Sequence, residues 1–424
     1  MRALILSSEF PPGPGGIGNQ AHQLALSLHR HGWELPVVSP QDYVTIEQAQ
    51  AFNTQQPFRI VTVPSGRRHF AAALHRLRVA ASLAQSYRPD VLIGTGLSGV
   101  AVAAALGALW RLPAIGVAHG SEFGVGPARS GWFKRLAHER TDSGAPASRH
   151  GVLSQRLIRL SYGRMTAVVA VSQFTRHVMQ QAGICPRRLE VIPNAADHQR
   201  FRVLPDSDRQ AFRQAAGFNG VPLLLTVGQV SERKGQEVVI RALPEILSRV
   251  PGTHYLMIGL PTLQEPLTRL ARQLNVQNHV HFLGVVNDLD LVRWLNCADV
   301  FVVTSRTTTT GDCEGFGIAV VEAALCGKPA VVSAQSGLVE AIAENLTGLA
   351  VPENDELATA KAIVSLLTDS SLRTVMGHAA EIRARHNQTW ETCGAQYDAL
   401  LRTLIGVNYC HAVINHLPHA SLLA

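Results

Sequence analysis

Glu314 and Glu322 stand with seven residues between them in the run Asp312-Cys313-Glu314-Gly315-Phe316-Gly317-Ile318-Ala319-Val320-Val321-Glu322. A carboxylate accepts hydrogen bonds, and neighbouring hydroxyls of a sugar can supply them. The apolar stretch Phe316–Leu325 predicts a helix, with Gly315 and Gly317 freeing its first turn. The backbone N–H groups of Phe316, Gly317 and Ile318 then face an anion, because a helix start leaves its first amides unpaired. Carboxylates on either side of a phosphate-binding helix start suit a nucleotide sugar. Paired carboxylates also serve glycoside hydrolysis, but these two lie next to a phosphate-binding apparatus.

Three further segments bear on the same chemistry. Gly228-Gln229-Val230-Ser231-Glu232-Arg233-Lys234-Gly235 follows an apolar run. Arg233 can grip a phosphate bidentately and Lys234 adds a compact charge, so the pair would neutralise a diphosphate. The plain alternative is a solvated basic pair. His119-Gly120-Ser121-Glu122 follows the apolar Ala114–Val117, which puts His119 at the carboxyl end of a strand. Ligands of open α/β sheets bind there, although a lone histidine is also a common structural residue. Pro11-Pro12-Gly13-Pro14-Gly15-Gly16-Ile17-Gly18 links the first strand to the first helix, and its glycines allow close approach to a phosphate. Gly13, Gly15 and Gly18 also fit the dinucleotide fingerprint, and Asp42 stands roughly where that pattern wants an acid. An NAD(P)-dependent oxidoreductase is therefore the alternative function. The three prolines argue against it, because they make a longer, stiffer loop than the fingerprint's tight turn. Asp288-Leu289-Asp290 matches a metal-binding DxD pattern, but it opens a helix over Leu289–Cys297, and helix capping explains it better.

The elements that must position these residues alternate regularly. Ala3–Ser7, Leu35–Ser39, Ile60–Val63, Val91–Gly94, Ala114–Val117, Thr166–Val171 and Glu190–Ile192 read as strands. Asn19–His31 and Gln173–Gln181 read as helices among them. After a polar stretch, Asn194–Asp208, the alternation restarts with strands Leu223–Val227, Tyr255–Gly259, Val280–Leu283, Val300–Thr304, Ala330–Ser333 and Leu349–Val351. Gln236–Arg249 is a helix of that second half. Such alternation predicts an α/β protein of two doubly wound parallel sheets in tandem, with one cleft between them.

Composition agrees. The 424 residues are 46% hydrophobic and 16% charged, with mean hydropathy +0.09, which marks a core-rich chain long enough for two or three domains. The six cysteines are scattered without a CxxC pair, so neither a disulfide framework nor a cysteine zinc site is expected, and a reducing cytosol is the natural compartment. No export signal is visible at the start. Residues 1–200 carry 21 basic against 10 acidic residues, whereas residues 201–424 carry 17 against 21. A basic first half points to an anionic partner; no nucleic-acid motif accompanies it, and nucleic acid is excluded as a partner. Val91–Trp110 has the length of a membrane span and no charge, but its Gly- and Ala-rich composition reads as a strand followed by a helix. Residues 66–85 combine Arg67, Arg68, Arg76 and Arg78 with Phe70, Leu74 and Leu77. That pattern fits either a basic amphipathic helix on an anionic membrane or a surface helix packed by its Leu/Ala face.

Taken together, Gly15-Gly16, His119-Gly120, Arg233-Lys234-Gly235 and Glu314…Glu322 resemble the retaining glycosyltransferases of family 4, over roughly residues 1–406. VAVSQFTRHVM at 169–179 and VIPNA at 191–195 add to the likeness, which extends to bacterial phosphatidylinositol mannosyltransferases. The resemblance implies a GT-B fold of two Rossmann-like domains facing across a cleft. It implies an acceptor domain over 1–200, a nucleotide-sugar domain over 201–388, a final helix over 389–406 that crosses back, and a tail over 407–424 that matches nothing. Transfer of a hexose, mannose or glucose, from a GDP- or UDP-linked donor to a lipid-linked, polysaccharide or small-molecule acceptor is implied, with no metal or further cofactor and with retention of configuration. Gly15, Gly16 and Gly228 would approach the donor phosphates, and His119 would contact the transferred sugar. Arg233 and Lys234 would hold the diphosphate and stabilise it as leaving group. Glu314 would bind the sugar hydroxyls, the backbone of Phe316, Gly317 and Ile318 the sugar and phosphate, and Glu322 the ribose. A lipid-linked acceptor and a place in the cytoplasm on the inner face of the membrane follow if residues 66–85 bind it. Residues 126–165 would form an acceptor-side loop. Where the family has Gly-Gly-x-Pro-Glu, this chain has Ser336-Gly337-Leu338-Val339-Glu340, without the proline; with Glu340 kept, the loop is expected to cap the donor.

Overall fold

Strands that are apolar from end to end can be covered on both faces, and parallel sheets are built that way. The computed structural model describes residues 1–42, 44–64, 70–123, 149–309 and 311–407. In chain order the first half forms β1 (Ala3–Ser7), α1 (Gly16–Arg30), β2 (Val37–Ser39), α2 (Ile46–Asn53), β3 (Ile60–Thr62), α3 (Phe70–Tyr87), β4 (Val91–Thr95), α4 (Gly96–Trp110), β5 (Ala114–Ala118), α5 (Arg149–Gly163), β6 (Ala167–Ala170), α6 (Gln173–Gln181) and β7 (Leu189–Val191). The second half forms α7 (Asp206–Ala215), β8 (Leu223–Val227), α8 (Gln236–Arg249), β9 (His254–Ile258), α9 (Gln264–Gln273), β10 (Val280–Gly284), α10 (Asp288–Cys297), β11 (Val300–Val303), α11 (Ile318–Leu325), β12 (Ala330–Ser333), β13 (Gly348–Val351), α12 (Glu356–Thr368), α13 (Ser370–Asn387) and α14 (Trp390–Leu404).

The first sheet runs β3-β2-β1-β4-β5-β6-β7 and the second β10-β9-β8-β11-β12-β13. All pairings are parallel; β1 meets β4 from Ala3 opposite Val91 to Ser7 opposite Thr95. In each sheet the order reverses beside the first strand, so the loops after β1 and β8 open at the switch points where such sheets bind ligands. Every residue of β1, β4, β5 and β6 is buried. The uncharged run Val91–Trp110 divides at Gly96, whose φ of 66° turns the chain from β4 into α4. Among the described residues no helix is long and apolar enough to cross a membrane.

One continuous core joins the two units through Trp33, Ile192, Phe201 and Tyr397. Helix α14 lies against α1 and fastens the chain's end to its beginning. The buried Trp33 Nε1 donates to Asp398 at 2.7 Å, Ser27 Oγ donates to the Trp390 carbonyl at 3.1 Å, and Arg402 reaches the His31 carbonyl at 3.2 Å. A Cβ on Gly394 would collide with Ser27 Oγ, so the two helices approach closely there.

Two expectations shift at this level. Helix α11 begins at Ile318 rather than Phe316, because Gly317 adopts a left-handed φ of 88° as its N-cap. In residues 66–85, positions 66–69 lie outside the described residues. Within α3, Leu77, Val79, Ala81 and Leu83 pack toward the core beside α4, and Arg76 is engaged, donating to Ser98 Oγ at 2.8 Å and the Pro64 carbonyl at 3.2 Å. The described part of α3 therefore behaves as a packed surface helix. Residues 126–148 of the expected acceptor-side loop and residues 408–424 of the tail also lie outside the described residues, and most of the rest of that loop, Arg149–Gly163, is helix α5 instead.

Candidate functional site

The loop after β8 carries Gly228, whose φ of 143° and tight contact with the Lys234 side chain, 2.9 Å from a hypothetical Cβ to Cε, leave no room for a side chain. A helical turn over Glu232–Lys234 ends at Gly235, whose φ of 68° is left-handed. Thr304 Oγ1 donates to the Gly235 carbonyl at 2.8 Å, which staples this loop to the end of β11. The result sets Arg233 and Lys234 over the segment 312–317. Arg233 Nη1 and Lys234 Nζ both meet Glu314 Oε2, Lys234 at 2.7 Å, and Arg233 Nε lies 3.5 Å from Asp312 Oδ2. Burial opposes ionisation of Glu314, but the Arg233 and Lys234 charges outweigh it and hold its carboxyl at about 2. Two cations thus face two carboxylates in a nearly dry place.

Glu322 projects from α11 and is 8% exposed. Burial raises its carboxyl to about 7, opposed mainly by the positive charge of Arg200. Arg200 itself pairs with Asp288 at 2.7 Å.

The first unit contributes His119 from the end of β5. Its Nε2 lies 2.9 Å from Thr95 Oγ1, at the end of β4. That hydroxyl donates to Gln20 Oε1 at 3.3 Å, so it accepts from His119, and Nδ1 is left as the acceptor. Burial lowers His119 to about 3, which makes it a neutral hydrogen-bonding group. Both oxygens of Glu122 accept the His119 backbone N–H at 3.1 Å, and Tyr162 donates to the same carboxylate at 3.4 Å. Burial raises Glu122 to about 7.

The units meet at this point. A Cβ on Gly315 would collide with the carbonyl oxygen of His119, and one on Gly337 would collide with the carbonyl oxygen of Gly315. Three backbone segments therefore stack without side chains between them. Ser172 Oγ, just before α6, donates to the Gly315 carbonyl at 2.5 Å.

A family model described as Glycosyltransferase Family 4 matches residues 14–200, and one described as Glycosyl transferases group 1 matches residues 208–383. Each model matches under half of the chain and together they span most of it, so both units are similar to glycosyltransferases of these groups. A GDP-mannose-dependent alpha-(1-6)-phosphatidylinositol monomannoside mannosyltransferase of Mycolicibacterium smegmatis is 35% identical over 235 residues, 55% of this chain and 61% of that relative. The match thus spans less than two thirds of that relative's own length. Glycogen synthase of Mycobacterium tuberculosis is 27% identical over 413 residues, 92% of each chain. The crystal structure of Anabaena Alr3699/HepE in complex with UDP shares the fold, with TM-score 0.74 at 20% identity over 95% of this chain and 100% of that one.

The fold is the expected GT-B arrangement of two Rossmann-like units. His119, Arg233, Lys234, Glu314 and the Gly315–Ile318 segment come together as the sequence suggested. The glycine-rich loop joins them through α1, by the Gln20–Thr95–His119 chain. No described atom lies within 4 Å of where a Cβ on Gly16 would stand, whereas one on Gly15 would collide with the Glu9 carboxylate. Glu9 Oε1 accepts the Gly18 N–H at 2.9 Å. A carboxylate thus holds an amide in the first turn of α1, and the two matching family models leave the oxidoreductase alternative without support. The DxD pattern resolves as capping: Asn287 is the N-cap of α10, and Asp288 and Asp290 are engaged by Arg200 and Arg293 at 2.7 and 3.0 Å.

The loop expected to cap the donor carries a carboxylate that is engaged within the fold. Glu340 accepts the backbone N–H groups of Gln173 and Phe174 at 2.8 and 2.7 Å, across the interface at the start of α6. Asp312, Thr95, Gln20 and the Glu122 carboxylate were missed as contributors. The His119-x-x-Glu122 spacing is a turn signal that could have pointed to Glu122; Thr95 shows only as a polar residue ending an apolar run.

Proposed function

We propose that this chain transfers a hexose from a nucleoside-diphosphate sugar to a hydroxyl acceptor, with residues 1–200 as the acceptor side and 201–388 as the donor side. The observation that carries this reading is the Arg233–Lys234 pair fastened on Glu314 beside the start of α11. The donor's diphosphate lies against the two cations, the α11 amides of Gly317 and Ile318, and the open backbone of Gly16. Glu314, relieved of part of its ion pairing by the incoming phosphates, accepts hydrogen bonds from the sugar hydroxyls. Glu322 accepts those of the ribose. The bond between the anomeric carbon and the phosphate oxygen breaks with its electron pair leaving on the diphosphate, the acceptor hydroxyl oxygen bonds to that carbon, and the hydroxyl proton passes to the departing diphosphate. Charge developing there is met by donors already in place, each of which typically contributes about 3 kcal/mol to such a step. The neutral His119 offers the sugar a hydrogen bond rather than a charge.

The named mannosyltransferase relative favours GDP-mannose as donor and a phosphatidylinositol mannoside glycolipid as acceptor. The enzyme then works on the cytoplasmic face of an anionic membrane, with Arg67, Arg68 and Arg78 as contacts. Configuration is retained, and Arg233 and Lys234 take the charge-neutralising place of a metal. The test is mannose transfer from GDP-mannose to phosphatidylinositol mannoside in anionic vesicles containing EDTA, with the new anomeric proton read by NMR. An α-linked product supports the reading. Transfer from UDP-glucose alone moves the donor, and the absence of transfer from either overturns it.

A further inference from the structure

Helix α6 has no acidic residue in its first turn, yet its first amides are all paired. Ser172 Oγ, the N-cap, accepts the Thr175 N–H at 2.9 Å. The N–H groups of Gln173 and Phe174 are taken by the two carboxylate oxygens of Glu340, from the other unit, at 2.8 and 2.7 Å. An acid at a helix start is favoured by the macrodipole, and hydrogen bonds to a charged acceptor are the strong ones. The acid that α6 lacks is supplied across the domain interface.

The segment that carries Glu340 is braced from behind. Arg383 of α13 donates to the carbonyls of Ala341 at 2.8 Å and Glu340 at 3.0 Å. In front, Gly337 donates its N–H to the Glu314 carbonyl at 2.9 Å and stacks on Gly315, which abuts the His119 carbonyl. The same short stretch of the first unit, Ser172 to Thr175, therefore grips both Gly315 and Glu340. Whatever separates Glu340 from α6 also loosens the contact between the donor-side loop and His119.

We propose that Glu340 is a positioning residue, a latch that holds the two units closed so that His119 stays against the 314–317 loop. Its capping of α6 places the sugar-contacting group of one unit on the phosphate-binding groups of the other. The proposal deepens the glycosyl-transfer reading and rests on it for the roles of these groups.

Two variants test it. E340Q removes the charge and half of the bidentate acceptor. Gln173→Pro deletes one latch N–H and leaves Glu340 intact; proline suits the first position of a helix, and Ser172 before it is already extended, with φ −166° and ψ 164°. Nitroxides are placed at the exposed Cys185 and at Glu265→Cys on α9, whose side chain is 85% exposed, with Cys410 changed to Ser. Double electron–electron resonance then reads the distance between the units in the absence of any ligand. The parent protein is expected to give one narrow distribution. Both variants are expected to give a broader, longer one that narrows again when GDP is added. Affinity for GDP should fall by about tenfold, since a binding-competent state populated to about one tenth weakens apparent binding by that factor. Unchanged distributions in both variants overturn the latch. Weaker GDP binding with unchanged distributions overturns it too, because Glu340 would then touch the donor directly. A parent protein that binds no nucleotide overturns the functional reading but leaves the distance test to decide the latch.

Discussion

Replacing Glu322 by Gln should stabilise the protein at pH 8 while crippling nucleotide binding. The side chain is 8% exposed, and burial raises its carboxyl from 4.5 to about 7. A group whose folded pKa lies above its unfolded value favours folding in full below the unfolded value. That contribution is lost as pH rises from 4.5 to about 7, and above 7 the fold holds a buried charge. A tenfold change in proton affinity is worth about 1.4 kcal/mol, so the charged carboxylate costs about 3 kcal/mol at pH 8. The amide of Gln has similar shape and no charge. E322Q should therefore unfold at higher denaturant than the parent at pH 8, with the gap closing toward pH 5. If the carboxylate accepts the ribose hydroxyls, the parent's affinity for GDP should rise about tenfold between pH 6 and pH 8, as the ionised fraction climbs. E322Q provides the correction for the nucleotide's own titration and should lack that component. Urea unfolding and calorimetric titration of both proteins at pH 5, 6, 7 and 8 decide the matter. An E322Q protein less stable than the parent at pH 8 would overturn this prediction, because it would mean that the carboxylate is satisfied within the ligand-free fold.

Other substitutions probe the remaining parts. Lys234→Met strips one cation from the buried cluster, leaves Glu314 short of a partner, and should lower kcat/KM by about 10²- to 10³-fold; steady-state kinetics in EDTA measure it. Thr95→Val removes the hydroxyl that fixes His119 through Nε2 and should lower kcat by about tenfold with GDP affinity unchanged, on the scale of one lost orienting hydrogen bond; titration alongside kinetics separates the two. Gly315→Ala places a methyl group on the His119 carbonyl and should abolish transfer while leaving each sheet folded, as read by circular dichroism and activity. Arg67→Ala, Arg68→Ala and Arg78→Ala together should weaken sedimentation with anionic vesicles; Arg76 is left in place because it holds Ser98 and Pro64.

What could be read from the chain follows from how each contact is made. The strands were legible because parallel strands covered on both faces are nearly continuous apolar runs, as in Leu223–Val227, broken only by Thr226, and Ala330–Ser333, which ends in Ser333. Helices α6 and α8 kept their expected limits and α14 came within two residues of its own, and local caps set most of these limits, Ser172 for α6 and Thr389 for α14. The start of α11 was misplaced because a glycine in the left-handed region looks, in sequence, like a glycine inside the first turn. The motif loops were legible because chemistry constrains neighbouring residues. The contacts between units were not: Ser172 meets Gly315 and Gln173 meets Glu340 across more than a hundred residues, and no local pattern encodes such pairs. The charge state of His119 was equally hidden, since it depends on burial rather than on neighbours in sequence.

Every functional role assigned above depends on one property: the loop bearing Arg233 and Lys234, with Glu322, binds a nucleoside diphosphate. Calorimetric titration of the parent protein with GDP, UDP, ADP and NAD is its sharpest test. Saturable binding of GDP, lost in the Lys234→Met and E322Q proteins and not shared by NAD, is the expected result. Binding of NAD with no binding of GDP or UDP would be the opposite result, and it would return the glycine-rich loop to a dinucleotide.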